Sequence, residues 1–199
     1  MIAIIDYDGG NYKSVINILK RLKINFILTN NKNEILKCDK IILPGVSNFS
    51  YCIKKLKILN LDKILFEAVI VNKKKILGIC SGMQILGSYS EEGDVEGLNF
   101  VNGIIKKIET DKYFKVPHMG WNKVKTQKND LFYGIENLTR FYFCHSYHFS
   151  SDDKKLNTNT TKYKFDICAA FNYENIYGVQ FHPEKSYLEG SKLINNFNE

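Results

Sequence analysis

Short apolar runs alternate with helical stripes through the first half of the chain, an order that few folds accept. Ile2 to Ile5 reads as a strand. Val15, Ile18, Leu19 and Leu22 then fall on one helical stripe, and strand-like runs follow at Phe26 to Leu28 and Ile41 to Leu43. A helical stretch covers Leu61 to Val71, Lys75 to Ile79 is an apolar run of the buried-strand kind, and Ser81 to Leu86 begins another helix. Strands separated by helices are joined by crossovers, which give parallel pairs with helices on both faces. The expected fold is therefore α/β, a mostly parallel doubly wound sheet.

The second half changes character. Shorter strand-like pieces at Ile104 to Ile108, Phe141 to Phe143, Ile167 to Phe171 and Tyr177 to Gln180 suggest antiparallel strands added to that sheet. The polar stretch from Ser150 to Lys162 reads as a surface loop or hairpin, and Leu193, Ile194 and Phe197 mark a final amphipathic helix. With 199 residues, no internal repeat and no long linker, residues 1–199 are expected to form a single domain.

Composition removes several function classes. A hydrophobic share of 44% with 25% charged residues is ordinary globular usage, which argues against disorder. The net charge of +7 comes from scattered lysines, with Arg21 and Arg140 the only arginines, so no nucleic-acid partner is expected. Cys38, Cys52, Cys80, Cys144 and Cys168 are odd in number and include no CxxC pair or zinc-finger spacing. They point to a reduced, cytoplasmic protein with no metal. The chain opens straight into a strand-like run without a basic leader, and no stretch is long enough to span a bilayer, so no membrane association is expected.

Three short motifs carry chemistry, each holding or adjoining a proline or a glycine pair. Gly78-Ile79-Cys80-Ser81-Gly82 is the cysteine version of a nucleophile elbow, set between a buried strand and a helix. Its glycines relieve the sharp turn, and a helix amino terminus beyond it would stabilise a thiolate at Cys80. Phe181-His182-Pro183-Glu184 follows the last strand, so that His182 can act as base and acid while Glu184 orients its ring. Leu43-Pro44-Gly45-Val46-Ser47 ends the third strand near the elbow. There a backbone N–H of Val46 or Ser47, together with that of Ser81, would form an oxyanion hole. Taken singly, the three also read as a buried cysteine, a surface turn and a plain Pro-Gly turn. Pro117, in Pro117-His118-Met119-Gly120-Trp121-Asn122, marks a further candidate functional loop.

These strings occur with Asp6-Tyr7, Gly10-Asn11, Gly82-Met83-Gln84, Ser90-Glu91-Glu92, His145-Ser146-Tyr147 and His182-Pro183-Glu184-Lys185-Ser186. In that combination the chain resembles the triad-type, class I glutamine amidotransferases over nearly its whole length. The Pro-His-Met-Gly-Trp-Asn string narrows the resemblance to the amidotransferase subunits of imidazole glycerol phosphate synthases. The resemblance implies a flavodoxin-like sheet, a Cys80–His182–Glu184 triad and L-glutamine as substrate, with no cofactor. It further implies that Gly45, Gln84 and Glu92 bind glutamine while His145, Ser146 and Tyr147 close the pocket. Ammonia would pass to a (β/α)8-barrel cyclase/synthase subunit in a heterodimer, with Asn11, Met119, Trp121 and Lys185 at or near the interface. His118 and His148 are left as structural or interfacial.

Two positions depart from the family pattern: Ser47 stands where glycine is usual, and Ser81 where leucine is usual. Neither removes a backbone N–H, though Ser47 makes a peptide flip to positive φ less easy. The rival readings are a paralogous subunit supplying nitrogen for an amidino group on a surface sugar, a stand-alone cysteine peptidase or amidase, and a non-catalytic binding module.

Overall fold

The computed structural model describes residues 1–109, 111–127 and 129–199. In chain order the elements are β1 (Ile2–Ile5), α1 (Tyr12–Arg21), β2 (Phe26–Thr29), α2 (Lys32–Lys37), β3 (Lys40–Gly45), α3 (Phe49–Ile58) and α4 (Leu61–Leu65). A wider π-helical turn, Phe66–Val71, leads from α4 into β4 (Lys75–Cys80), and α5 (Ser81–Gln84) follows directly. Then come the short strands β5 (Tyr89–Ser90), β6 (Val95–Glu96) and β7 (Ile104–Lys107), followed by β8 (His118–Lys125) and β9 (Thr139–His145). The chain closes with β10 (Tyr147–Ser150), β11 (Asn157–Lys162), β12 (Asp166–Tyr173), β13 (Ile176–Val179) and α6 (Tyr187–Asn198).

Nine strands form one sheet in the order β2-β1-β3-β4-β13-β12-β11-β8-β9. From β2 to β13 every pairing is parallel, and from β13 to β9 every pairing is antiparallel. Strand alternation divides the core between the two faces. Ile2 and Ile4 pack with Val15, Ile18 and Leu19 of α1 and with Leu193, Ile194 and Phe197 of α6. Ala3 and Ile5 pack on the other side with Phe49, Ile53 and Leu56 of α3 and Leu61 and Leu65 of α4. Helices on both faces make the sheet doubly wound, as its first half predicts. A second sheet, β10-β7-β5-β6, takes the Ile104 to Ile108 piece and packs on the first, where Phe149 of β10 meets Phe171 of β12 with ring centres 4.7 Å apart.

Four expectations need correction. The helix after Cys80 ends at Gln84 rather than continuing to Leu86. The Ile85, Leu86 and Gly87 carbonyls accept instead from Leu98, from Phe100 and Val101, and from Asn99, so the chain is drawn into a loop. Strand β13 is not simply an antiparallel addition, because its other edge pairs parallel with β4. The polar 150–162 stretch is not a surface loop but carries β11, which forms a hairpin with β12 inside the large sheet. There buried Thr161 donates to the Lys123 carbonyl at 2.9 Å and buried Asn159 accepts from the Gln127 N–H through Oδ1, while its Nδ2 meets no partner among the described residues. The His118 to Asn122 string is not a loop but the start of β8, with only Pro117 outside it.

Candidate active site

Cys80 ends β4 with φ 55° and ψ −116°, a conformation that a non-glycine residue adopts only when its surroundings impose it. The surroundings here are backbone. A Cβ on Gly82 would lie 1.9 Å from the Leu43 carbonyl oxygen, and one on Gly78 would lie 2.6 Å from the Gly82 oxygen. The elbow is thus wedged between β3 and its own helix, and both flanking glycines are sterically required. Because α5 is a single turn, the helix amino terminus behind Cys80 is weaker than a full helix would provide.

The His182 segment is fixed from the opposite side. The His182 N–H donates to the Tyr142 carbonyl at 2.8 Å, while the Ser186 hydroxyl donates to the His182 carbonyl at 2.7 Å and accepts from the Tyr142 N–H at 3.0 Å. These bonds hold the turn Pro183–Lys185 against β9. His182 Nδ1 lies 2.8 Å from Glu184 Oε1, with the two side chains 4% and 2% exposed. A carboxylate can only accept, so Nδ1 carries hydrogen and the remaining ring nitrogen is left for Cys80, which lines the same pocket. Burial alone would lower the His182 pKa. The hydrogen bonds and charges of Cys80 and Glu184 outweigh it and raise the value to about 10, so the ring keeps its proton at neutral pH.

Of the two loop donors expected for an oxyanion hole, Val46 and Ser47, the first is engaged elsewhere. The Val46 N–H donates to the Gly9 carbonyl at 2.9 Å and is therefore turned away from the pocket. Tyr7, fully buried, holds the Pro44 carbonyl at 2.7 Å through its hydroxyl. Gly45 does not line the pocket: it packs on the elbow, where an added Cβ would meet the Gly82 nitrogen at 2.3 Å.

A pocket of about 380 Å³ opens over Cys80, at the small end of ligand sites, which run from roughly 300 to 1,000 Å³. Val46, Ser47, Ser81, Gln84, Glu92, His145, Ser146, Tyr147, His182 and Lys185 all reach its wall, so most of the residues singled out from sequence are brought together. Gln84 is buried, and its Nε2 donates to the Tyr147 carbonyl and to Gln180 Oε1, each at 2.9 Å. Glu92 Oε2 accepts from the Phe49 N–H at 2.8 Å, capping the start of α3. His145 is committed internally: Nδ1 meets the Tyr147 carbonyl at 2.8 Å and Nε2 meets His118 Nδ1 at 2.9 Å. Burial pushes its pKa down to about 3 and that of His118 down to about 4, so both rings are neutral.

Among the interfacial candidates, Trp121 stacks on Tyr187 with ring centres 5.2 Å apart and meets Tyr142 edge-on. The Lys185 ammonium lies 5.6 Å from the Tyr142 ring centre, and Met119, on the same side of β8 as Trp121, is 60% exposed. Asn11 stands at the head of α1 and donates to Ser14. Tyr142, Tyr187 and Gln180 were missed from sequence. For Gln180 the signal was present, since a single amide inside the apolar run Tyr177 to Phe181 must find partners when buried. Among the described residues no His, Cys, Asp or Glu cluster is arranged to hold a metal, and no helix is long and apolar enough to cross a membrane.

Fold and site together define an α/β protein with a cysteine on a strand-to-helix elbow, opposed by a buried histidine–glutamate pair across a small polar pocket. Residues 3–199 match the family model described as glutamine amidotransferase class-I. The chain belongs to that family. It is 46% identical over 99% of its length to the imidazole glycerol phosphate synthase subunit HisH 2 of Methanococcus maripaludis, covering 98% of that protein. It is 43% identical over the same share of its length to the subunit HisH of Leptospira borgpetersenii, again covering 98%. A putative GMP synthase protein from Thermoplasma acidophilum shares the fold, with a TM-score of 0.75 at 21% identity over 98% of this chain and 90% of that one. The relatives' names do not favour the surface-sugar reading.

Proposed function

We propose that residues 1–199 form one domain acting as the glutamine-hydrolysing subunit of an imidazole glycerol phosphate synthase in histidine biosynthesis. The observation that carries the chemistry is the meeting of the elbow cysteine with the buried His182–Glu184 pair in one pocket. The Cys80 thiolate attacks the side-chain amide carbon of L-glutamine, and His182 gives its proton to the departing nitrogen as the C–N bond breaks, releasing ammonia. Water then loses a proton to His182 and adds to the thioester, whose C–S bond breaks to free glutamate. Glu184 keeps the ring oriented throughout. Gln84 and Glu92 are the proposed anchors for the polar head of glutamine, with Gly45 supporting the elbow from behind.

Ammonia that escapes into neutral water becomes ammonium, which is not nucleophilic, so the product needs a sheltered path to a docked partner. We assign that partner as a (β/α)8-barrel cyclase in a heterodimer, seated on the face that carries Asn11, Met119, Trp121 and Lys185. The five cysteines are free, which suits a cytoplasmic setting. A glutamine-like diazo-ketone tests the assignment: it should label Cys80 and spare the other four cysteines. Labelling at Cys38, Cys52, Cys144 or Cys168 instead would overturn it.

A further inference from the structure

Gln180 follows β13, is wholly buried and is not part of the triad. Its Oε1 accepts from Gln84 Nε2 at 2.9 Å, and its own Nε2 lies 3.7 Å from Cys80 Sγ, within reach of a hydrogen bond to sulfur. The orientation of this amide is dictated by a carbonyl two links away. The Tyr147 oxygen can only accept, and two groups reach it: His145 Nδ1 at 2.8 Å and Gln84 Nε2 at 2.9 Å. His145 must therefore carry hydrogen on Nδ1, and Gln84 must present its nitrogen. The second hydrogen of that nitrogen meets Gln180 Oε1, leaving the Gln180 nitrogen to face the sulfur. Rotating the Gln180 amide would set nitrogen against nitrogen and oxygen against sulfur, losing both bonds.

The relay is anchored at its far end as well. With Nε2 of His145 an acceptor, His118 donates from Nδ1 at 2.9 Å and accepts at Nε2 from Asn122 Nδ2 at 3.2 Å. Asn122 Nδ2 is held by the Lys162 carbonyl at 2.8 Å, and its Oδ1 accepts from the Lys123 N–H at 2.8 Å. Every donor direction from β8 to Tyr147 is thus fixed by backbone groups, and Tyr147 sets Gln84 and Gln180 in turn.

We propose that Gln180 is a positioning residue that holds an N–H on the Cys80 sulfur and so favours its thiolate form, in an orientation set by Gln84. The inference rests on Cys80 being the nucleophile. A donor to sulfur stabilises the anion over the thiol, whose own hydrogen would instead turn to the Cys144 carbonyl at 3.8 Å. The titratable groups around this sulfur are His182 with Glu184 behind it, Tyr7 beneath the elbow, His145 along the relay, and Glu92 and Lys185 on the pocket wall. Gln180 differs from all of them in having no group that titrates, so its contribution is the same at every pH.

The test is the pH profile of Cys80 alkylation by iodoacetamide in the full chain, read by peptide mapping. Gln180→Leu should raise the midpoint by about one unit, and Gln180→Glu, which faces the sulfur with an acceptor, should raise it further. A purely structural role would lower the amount of folded protein without moving the midpoint. Should either variant fail to fold, Gln84→Met leaves Gln180 in place but frees its amide, and a smaller rise is expected. Unchanged midpoints in the folded variants overturn the proposal. If wild-type Cys80 reacts no faster than the other cysteines, the glutaminase reading fails instead.

Discussion

The pocket has two walls, and they stand at different stages of readiness. On one, His182 shares the pocket with Cys80 and meets Glu184 at 2.8 Å, with Glu184 and the ring both sealed from water. On the other, the Val46 N–H is spent on the Gly9 carbonyl at 2.9 Å. Energetics explains the division. Burying a histidine and a carboxylate strips two charged groups of water at a cost of several kcal/mol each, which only a fixed scaffold can offset. Turning one peptide breaks one hydrogen bond, a net change of about 0.5–1.5 kcal/mol. The costly wall is built in, and the cheap one is left to be set. Control of the reaction can then reside in a single peptide group.

The sharpest way to break this contrast is to remove the finished wall. Cys80→Ala should reduce glutamine-dependent turnover on the order of 10⁶-fold, while the assembled complex still makes product from added ammonium salts. Loss of both activities would mean that Cys80 serves the structure rather than the chemistry. Glu184→Gln leaves nucleophile and base in place and should cost roughly 10⁴-fold, measured as kcat for glutamate release. A loss equal to that of Cys80→Ala would contradict an orienting role.

The unfinished wall predicts a smaller effect of opposite sign. Binding of the synthase partner with its substrate should raise glutaminase turnover roughly 100- to 1,000-fold, the value of one oxyanion donor. If the rotated peptide needs positive φ at Ser47, Ser47→Gly should raise the unpartnered rate roughly 5- to 10-fold and narrow the stimulation. An isolated chain that is fully active and indifferent to any partner would erase the difference between the walls.

The smallest effect concerns histidines. His118 and His145 are depressed to about 4 and about 3, so the unfolded chain takes up their protons first as pH falls. Their contribution is complete above about pH 6.5 and is lost on the way down to 4 and 3. His182, raised to about 10, behaves in reverse: its contribution is complete below about 6.5 and is lost as pH rises through 10. Thermal melts of His118→Gln should therefore lose a few degrees less between pH 7 and 4 than wild type. An identical acid slope would show that the ring is not buried neutral.

The same divide between fixed backbone and adjustable detail runs through what sequence could reveal. Strands β1, β3 and β4 are buried on both faces and so written as continuous apolar runs such as Ile41-Ile42-Leu43, which any periodicity reading finds. Strand β11 spells Asn157-Thr-Asn-Thr-Thr-Lys162 and resembles a loop, because its inward side chains are polar, Asn159 and Thr161, and bond to Gln127 and Lys123, distant in sequence. Strands β5 and β6 contain two residues each, too few for any period to register. The placing of Cys80, His182 and Glu184 at turns beyond strand ends was legible because glycine and proline spacing marks such turns. The Val46 orientation was not, since which way a peptide points is no property of its residue type. Gln180 was overlooked because its partners, Gln84 and Cys80, lie about 100 residues away in the chain.

The stack of Trp121 on Tyr187 has a practical use that depends on a count. Trp121 is the chain's one tryptophan, 36% exposed and lying over the ring of a 74% exposed tyrosine. All indole emission from this molecule therefore originates at a single point on the proposed docking face. Selective excitation of that ring turns the unmodified protein into its own optical gauge: a partner that covers it dries the indole and shifts its colour, and one that lands elsewhere leaves the spectrum unchanged.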